Sequence, residues 1–224
     1  MKPKATIRWA VDLAMTLTLL FLMGYHLFGE IAHEWVGAAA FLLWGIHHIL
    51  NWGWYKGLFR GRYTPLRAVQ AGVCLLLTAA MLALLYSGIV MSRHVFVFLP
   101  HFGGMALARR LHILGASWGF LLMSLHLGLH WGMVLGLAKK RWGRAMASPA
   151  GRRLLLLAGV LIAAYGVFVL FDRGYWTWLF LRSEFIFLDY EEPVWAFLLD
   201  HLCLMGSCVF LGYFGSRGLR TRRP

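Results

Sequence analysis

Two stretches decide how this chain is read: HEWVGAAAFLLWGIHHILNWG, residues 33–53, and HILGASWGFLLMSLHLGLHWG, residues 112–132. Each opens on a histidine and places a second one 14 residues later, His33 with His47 and His112 with His126. Fourteen helical residues rise about 21 Å and fall roughly 40° short of four turns. Each pair therefore lies on one face of its helix, at two depths. Shifted by 79 residues, the stretches share eight identities in 21 positions, and both histidines of each pair are among them. Phe41-Leu42-Leu43 falls on Phe120-Leu121-Leu122, Leu50 on Leu129, and Trp52-Gly53 on Trp131-Gly132. The preceding segments, Leu17 to Gly24 and Met81 to Gly88, also compare and each ends in glycine. An internal repeat of this kind predicts two equivalent helical hairpins.

Working outward, 60% of the 224 residues are hydrophobic and the mean hydropathy is +0.67. A soluble domain carries about 45–50% apolar residues. The apolar content and its long runs predict an all-α, multi-span membrane protein. Six spans are expected: Arg8 to Phe28, His33 to Tyr55, Arg67 to Val90, Leu111 to Leu137, Leu154 to Phe171 and Val194 to Phe214. Each is about 20 residues, enough to cross roughly 30 Å of hydrocarbon. The first span is long for a secretory signal and no small-x-small cleavage site follows it, so it is expected to be a mature span. The expected organisation is a four-helix bundle over residues 1–140 and a C-terminal helical hairpin over 141–224.

The net charge of +13 raises the question of nucleic acid, but its placement reads as membrane topology. Seventeen of the 22 Lys and Arg residues fall at one set of ends, from Lys2, Lys4 and Arg8 to Arg220, Arg222 and Arg223. The other side receives Arg93, Arg109, Arg110, Arg173 and Arg182 together with Glu30, Glu34, Glu184, Asp189, Glu191 and Glu192. Both termini are expected on the cytoplasmic side. Tryptophans such as Trp9, Trp35, Trp52, Trp131 and Trp195 fall near span ends as an interfacial belt. Cys74, Cys203 and Cys208 form no Cys-x-x-Cys-His motif, which excludes covalent c-type haem attachment, and read as buried thiols.

The second and fourth spans run in the same direction. His33 and His112 then share the outer level, and His47 and His126 the inner one. Bundle cores host cofactors between facing helices, and two imidazoles fill both axial positions of a haem iron. The expected sites are two non-covalent b haems, His33 with His112 outside and His47 with His126 inside. Gly24 and Gly88 are expected to admit a flat macrocycle near the outer level. Arg93, Arg109 and Arg110 outside, and Lys56, Arg60 and Arg62 inside, are candidate partners of its carboxylates. His130 competes with His126 as ligand, although its repeat equivalent is Asn51. His48 points about 100° from His47. His26, His94 and His101 lie toward the outer surface, where a quinol or partner site could use them, although each is expected to be a satisfied or solvated histidine. Asp200 and His201, about two turns into the last span, are expected to hold the C-terminal hairpin to the bundle; proton transfer at a quinol site is the other reading.

The stretch His33-Glu34-Trp35 through His47-His48-x-x-Asn51-Trp52-x-Trp54, with its repeat from His112 to His126, resembles the flavinylation-associated cytochromes, bacterial membrane proteins assigned as b-type cytochromes. The resemblance covers the first four spans. The tail, Phe187-Leu188-Asp189-Tyr190-Glu191-Glu192-Pro193 and then Asp200, is similar to the C-terminal hairpin of some members. The histidine spacing also resembles the larger dihaem cytochrome b subunits of respiratory complexes, which have more spans. The family resemblance implies electron transfer in the bacterial inner membrane between quinol or a membrane dehydrogenase and a flavin-bearing extracytoplasmic protein. This chain carries no Ser/Thr-Gly-Ala-Thr acceptor for covalent flavin, so any flavin would belong to a partner. Whether the chain oxidises quinol itself is left open by the sequence. A second class, a transition-metal transporter or metal-binding membrane protein, is kept because imidazole also suits zinc, copper and nickel. The histidine-bearing spans lack mid-span Asp or Glu, which weighs against it.

Overall fold

A computed structural model describes residues 3–99, 103–186 and 189–221 of the chain. His101, and Phe187 and Leu188 of the tail, lie outside the described residues, as do Lys2, Arg222 and Arg223; Trp142 is described in its backbone alone. Among the described residues every element is a helix: α1 (Pro3–Met23), α2 (Tyr25–Phe28), α3 (Glu30–Leu50), α4 (Trp52–Leu58), α5 (Pro65–Met91), α6 (Met105–Ala147), α7 (Pro149–Asp172), α8 (Tyr175–Leu179) and α9 (Val194–Thr221).

The protein is an all-α membrane protein. Among the described residues five helices are long and apolar enough to cross a bilayer, within α1, α5, α6, α7 and α9. The helix that carries His33 and His47 is not among them. Two glutamates and three histidines in its 21 residues offset its apolar run. These are the residues that make α3 interesting, and the same residues weaken its signature as a span. The lipid-facing character of α7 is plain: Leu157 is 61% and Leu161 70% exposed, which in water would be an unsupported apolar patch.

Local chemistry sets the boundaries. Thr64 caps α5 by accepting from the Arg67 N–H, with Pro65 in the first turn. Ser148 does the same for α7 from the Gly151 N–H at 3.0 Å, followed by Pro149. Both pairs are strong helix starts, because the cap satisfies an orphan N–H and proline has none to lose. The first expected span is interrupted at Gly24, after which α2 leads into Gly29. Gly29 (φ +82°) and Gly104 (φ +83°) precede α3 and α6 in the left-handed region, where a side chain would be strained.

Packing follows a chain of neighbours. α1 lies along α3, α5 along α6, α6 along α9, and α9 along α7. The α6–α9 crossing is glycine-mediated. A Cβ on Gly128 would stand 2.6 Å from the Val209 carbonyl oxygen, and one on Gly212 2.7 Å from that of Leu125. Small residues allow such backbone approach in membranes, where packing rather than water expulsion drives association. Phe120, Leu204, Met205, Val209 and Tyr175 form the buried core around this crossing. The last helix therefore packs on α6 as well as on its hairpin mate α7. α6 itself runs unbroken past residue 140.

By contrast, the α1–α3 pair and the α5–α6 pair enclose a cavity between them. A ladder on Glu34 ties the two across its outer rim. The Glu34 carboxylate accepts from the Ser92 hydroxyl at 2.6 Å and from the backbone N–H groups of Arg93, His94 and Val95 at 2.8–3.0 Å. At the other end Arg8 of α1 donates to the Leu50 carbonyl of α3 at 2.5 Å.

Candidate functional site

The cavity between the two hairpins encloses about 1040 Å³ of empty space, its open mouth included. It lies at the His33–His112 end of the helices, the end expected to face outward. α3 contributes His33, Glu34 and Gly37, α5 contributes Gly88, and α6 contributes His112 and Gly119. Gly88 has open space where a Cβ would be, and Gly37 and Gly119 meet only ordinary contacts at 3.7 Å or more. Gly24 is elsewhere: a Cβ there would run into Phe28 and Phe197. It is a packing glycine, not a cavity one.

Across this cavity the rings of His33 and His112 come together, with centroids 6.0 Å apart and planes inclined at 56°. Nδ1 of His33 is buried with no hydrogen-bond partner among the described residues. Tyr25 packs edge-on against the same ring at 5.3 Å. Nδ1 of His112 stands 3.1 Å from the Ser87 hydroxyl. That hydroxyl spends its only hydrogen on the Leu84 carbonyl, at 3.1 Å. In the arrangement where that hydrogen stays on Leu84, the hydroxyl accepts from an Nδ1–H of His112. Nε2 of His112 then keeps a free lone pair, the form that binds a metal.

The inner level is built differently. Nδ1 of His47 donates to the Asp12 carboxylate at 2.8 Å. Asn51 steadies the same turn by donating to the His47 carbonyl at 2.9 Å. Nδ1 of His126 faces the Cys74 thiol at 3.6 Å. The closest ring contacts of the inner histidines are along their own helices, His126 with His130 at 4.8 Å and His47 with His48 at 5.8 Å. Among the described residues no ring contact joins His47 to His126, although the two interact electrostatically. His48 bonds instead to the Tyr55 hydroxyl and packs against Trp44. The outer pair is thus brought together, and the inner pair is brought to one level within a wider cluster of four histidines.

One rule runs through both levels. The first helix of each hairpin supports histidines of the second: Asp12 of α1 supports His47, and Ser87 and Cys74 of α5 support His112 and His126, while His33 has no such side-chain partner among the described residues. The sequence reading missed all three. Asp12 had a usable signal, an acid inside an apolar run. Ser87 and Cys74 had none, because a hydroxyl or thiol in an apolar helix is ordinary.

The flanking charges are largely committed. Arg110 pairs with Glu184 at 2.7 Å and Arg93 with Glu30 at 3.5 Å. Glu30, Glu34 and His94 bring one ligand atom each within 4.8 Å of one another on the outer surface. At the outer end of the C-terminal hairpin, Arg173 binds Glu192 and donates to Asp200 at 2.8 Å, while Asp200 also accepts from Tyr165 at 2.8 Å. Glu192 also meets His26 of α2 at 3.3 Å. Burial pushes the Glu192 carboxyl up, but hydrogen bonds and charge from Arg173, with the His26 contact, outweigh it and hold it below the usual glutamate range. Asp200 thus ties α9 to α7, and Glu192 ties that hairpin to α2. His201 is buried, bonds the Phe197 carbonyl and packs on Phe120 of α6.

The chain matches no protein-family model, no curated protein and no solved structure.

Proposed function

We propose that this chain is a membrane-embedded dihaem b-type cytochrome. In this reading it carries electrons across the bacterial inner membrane between quinol or a membrane dehydrogenase and an extracytoplasmic redox protein, such as a flavin-bearing one. α3 then counts as a sixth span, the first four spans form the haem-binding bundle, and both termini are cytoplasmic. His33 and His112 would hold the outer haem, and His47 and His126 the inner one.

The observation that carries the reading is the His33–His112 pair in its cavity. A metal held between two imidazoles at about 2.0–2.1 Å per bond keeps the ring centres about 6 Å apart, and the rings stand 6.0 Å apart. The cavity walls are largely apolar, as ligand sites are, and Gly37, Gly88 and Gly119 leave them flat enough for a planar group. The haem would supply one-electron chemistry. The residues do the rest: Ser87 orients His112, Asp12 orients His47, and the apolar walls keep water out. Hydrogen-bond partners on the far ring nitrogen are the usual companions of metal-binding histidines.

A second reading, a transition-metal site or pathway, draws on the inner cluster, where Asp12 and Cys74 join four imidazoles. Purified protein decides between the two. Two b-type haems per chain by pyridine haemochrome are expected, one lost in His112→Ala and the other in His126→Ala. Both haems persisting in these variants would overturn the ligand assignment. Absence of haem with stoichiometric zinc, copper or nickel would replace the function.

A further inference from the structure

The two levels differ in the group that receives the Nδ1 proton of a ligand. At the outer level it is the neutral Ser87 hydroxyl, and Nδ1 of His33 bonds no side chain among the described residues. At the inner level it is the Asp12 carboxylate, 2.8 Å from His47. A carboxylate on the far nitrogen gives an imidazole more imidazolate character and makes it a stronger donor to metal. A stronger anionic donor stabilises the ferric over the ferrous state, so hydrogen bonding to the ligand is one of the protein's levers on haem potential.

Resting on the dihaem reading, we propose that Asp12 is a positioning residue that makes the inner haem the lower-potential one, so that electrons run downhill from the cytoplasmic to the outer side. The exchange is a single electron: the inner iron goes from ferrous to ferric and the outer from ferric to ferrous, with no bond made or broken.

Among the described residues no charged group other than Asp12 bonds one of the four histidines. Glu34 lines the outer cavity and acts on His33 through space, but its carboxylate is saturated by four donors of the 92–95 turn and bonds neither histidine. Glu30 is paired with Arg93. On the inner side Arg8 is bound to the Leu50 carbonyl, and Arg220 acts on His130 only at a distance. Water at the membrane surface screens such remote charges, whereas Asp12 bonds the ligand directly. Asp12 also acts on His126 and His130, so its influence holds whichever of them completes the inner pair.

The test is an optical redox titration of the full-length purified protein as wild type, Asp12→Asn and Asp12→Glu. Wild type should titrate in two steps. In Asp12→Asn the lower step should rise by about tenfold in equilibrium constant, about 59 mV for one electron, while the upper step stays. Asp12→Glu should keep the wild-type lower step. The lower step unmoved in Asp12→Asn with both haems bound, or only the upper step moved, would overturn the proposal. Should Asp12→Asn lose a haem, His112→Ala decides: its remaining haem should titrate at the lower wild-type midpoint, and titration at the upper one would overturn the proposal. Wild type without haem would defeat the functional reading itself, an outcome separate from either result.

Discussion

Gly88→Phe separates a cavity that holds a cofactor from one that is a packing defect. Gly88 sits in the last turn of α5, on the cavity wall, with nothing within 4 Å of the place its Cβ would take. Its backbone is ordinary helix, so phenylalanine is tolerated conformationally and gains helix propensity of up to about 0.5 kcal/mol over glycine. The ring would enter the cavity from its α5 wall. Burying it stabilises by roughly 1.5–3 kcal/mol at most. The unliganded protein should therefore melt no lower than wild type. The consequence for a bound macrocycle is opposite. Overpacking a filled site costs typically 1–3 kcal/mol, and each 1.4 kcal/mol is about tenfold in affinity. The outer site should lose about tenfold or more in occupancy at limiting haem, and the inner site should be untouched. The assay is haem stoichiometry by pyridine haemochrome, paired with melting of the purified protein in detergent. Stoichiometry falling from two to one, with an unchanged or higher melting temperature, is the expected result. Two haems with unperturbed spectra in a folded Gly88→Phe protein would refute the placement of the outer haem in this cavity.

The α6–α9 crossing gives the converse case. In Gly128→Val the first added carbon would meet the Val209 carbonyl oxygen at 2.6 Å and its Cα at 2.8 Å, backbone atoms that move only with the whole of α9. A loss of about 1–3 kcal/mol, read as a lower melting temperature in detergent, is expected; equal stability would argue against the close crossing. Acid should loosen the C-terminal hairpin. Because the Glu192 carboxyl is held below its ordinary value, its stabilisation is complete above the ordinary glutamate pKa of about 4.3 and is lost as pH falls from there through the lowered folded value. Melting temperature followed from pH 7 to 3 should fall less steeply in Glu192→Gln than in wild type, and start lower; identical slopes would remove Glu192 from the acid response.

Much of the helical order was legible because it is local. Apolar runs of span length, Thr64-Pro65 and Ser148-Pro149 as helix starts, and glycines at breaks are all decided within a few residues. The expected third span, Arg67 to Val90, lies inside α5 (Pro65–Met91) for that reason. The 14-residue histidine spacing belongs to the same class, since 3.6 residues per turn places His33 and His47 on one face without reference to any other helix. Hydropathy alone was less informative for α3, whose ionisable residues are few but weigh heavily in a 21-residue helix.

What those histidines face was decided only in three dimensions. His47 is held by Asp12, 35 residues away, His112 by Ser87, 25 away, and His126 by Cys74, 52 away. No periodicity links such positions, because each partner lies on a different helix and its register depends on how two helices cross. The same holds for Gly128 and Gly212, whose value lies in a backbone contact between α6 and α9. Sequence determined that four histidines stand on two helical faces at two depths. Tertiary packing decided that one pair shares a cavity, that the other joins a wider cluster, and that a hydroxyl supports the first while a carboxylate supports the second. The physical reason is that a helix sets its own faces by local hydrogen bonding, whereas the chemistry between helices depends on which faces meet.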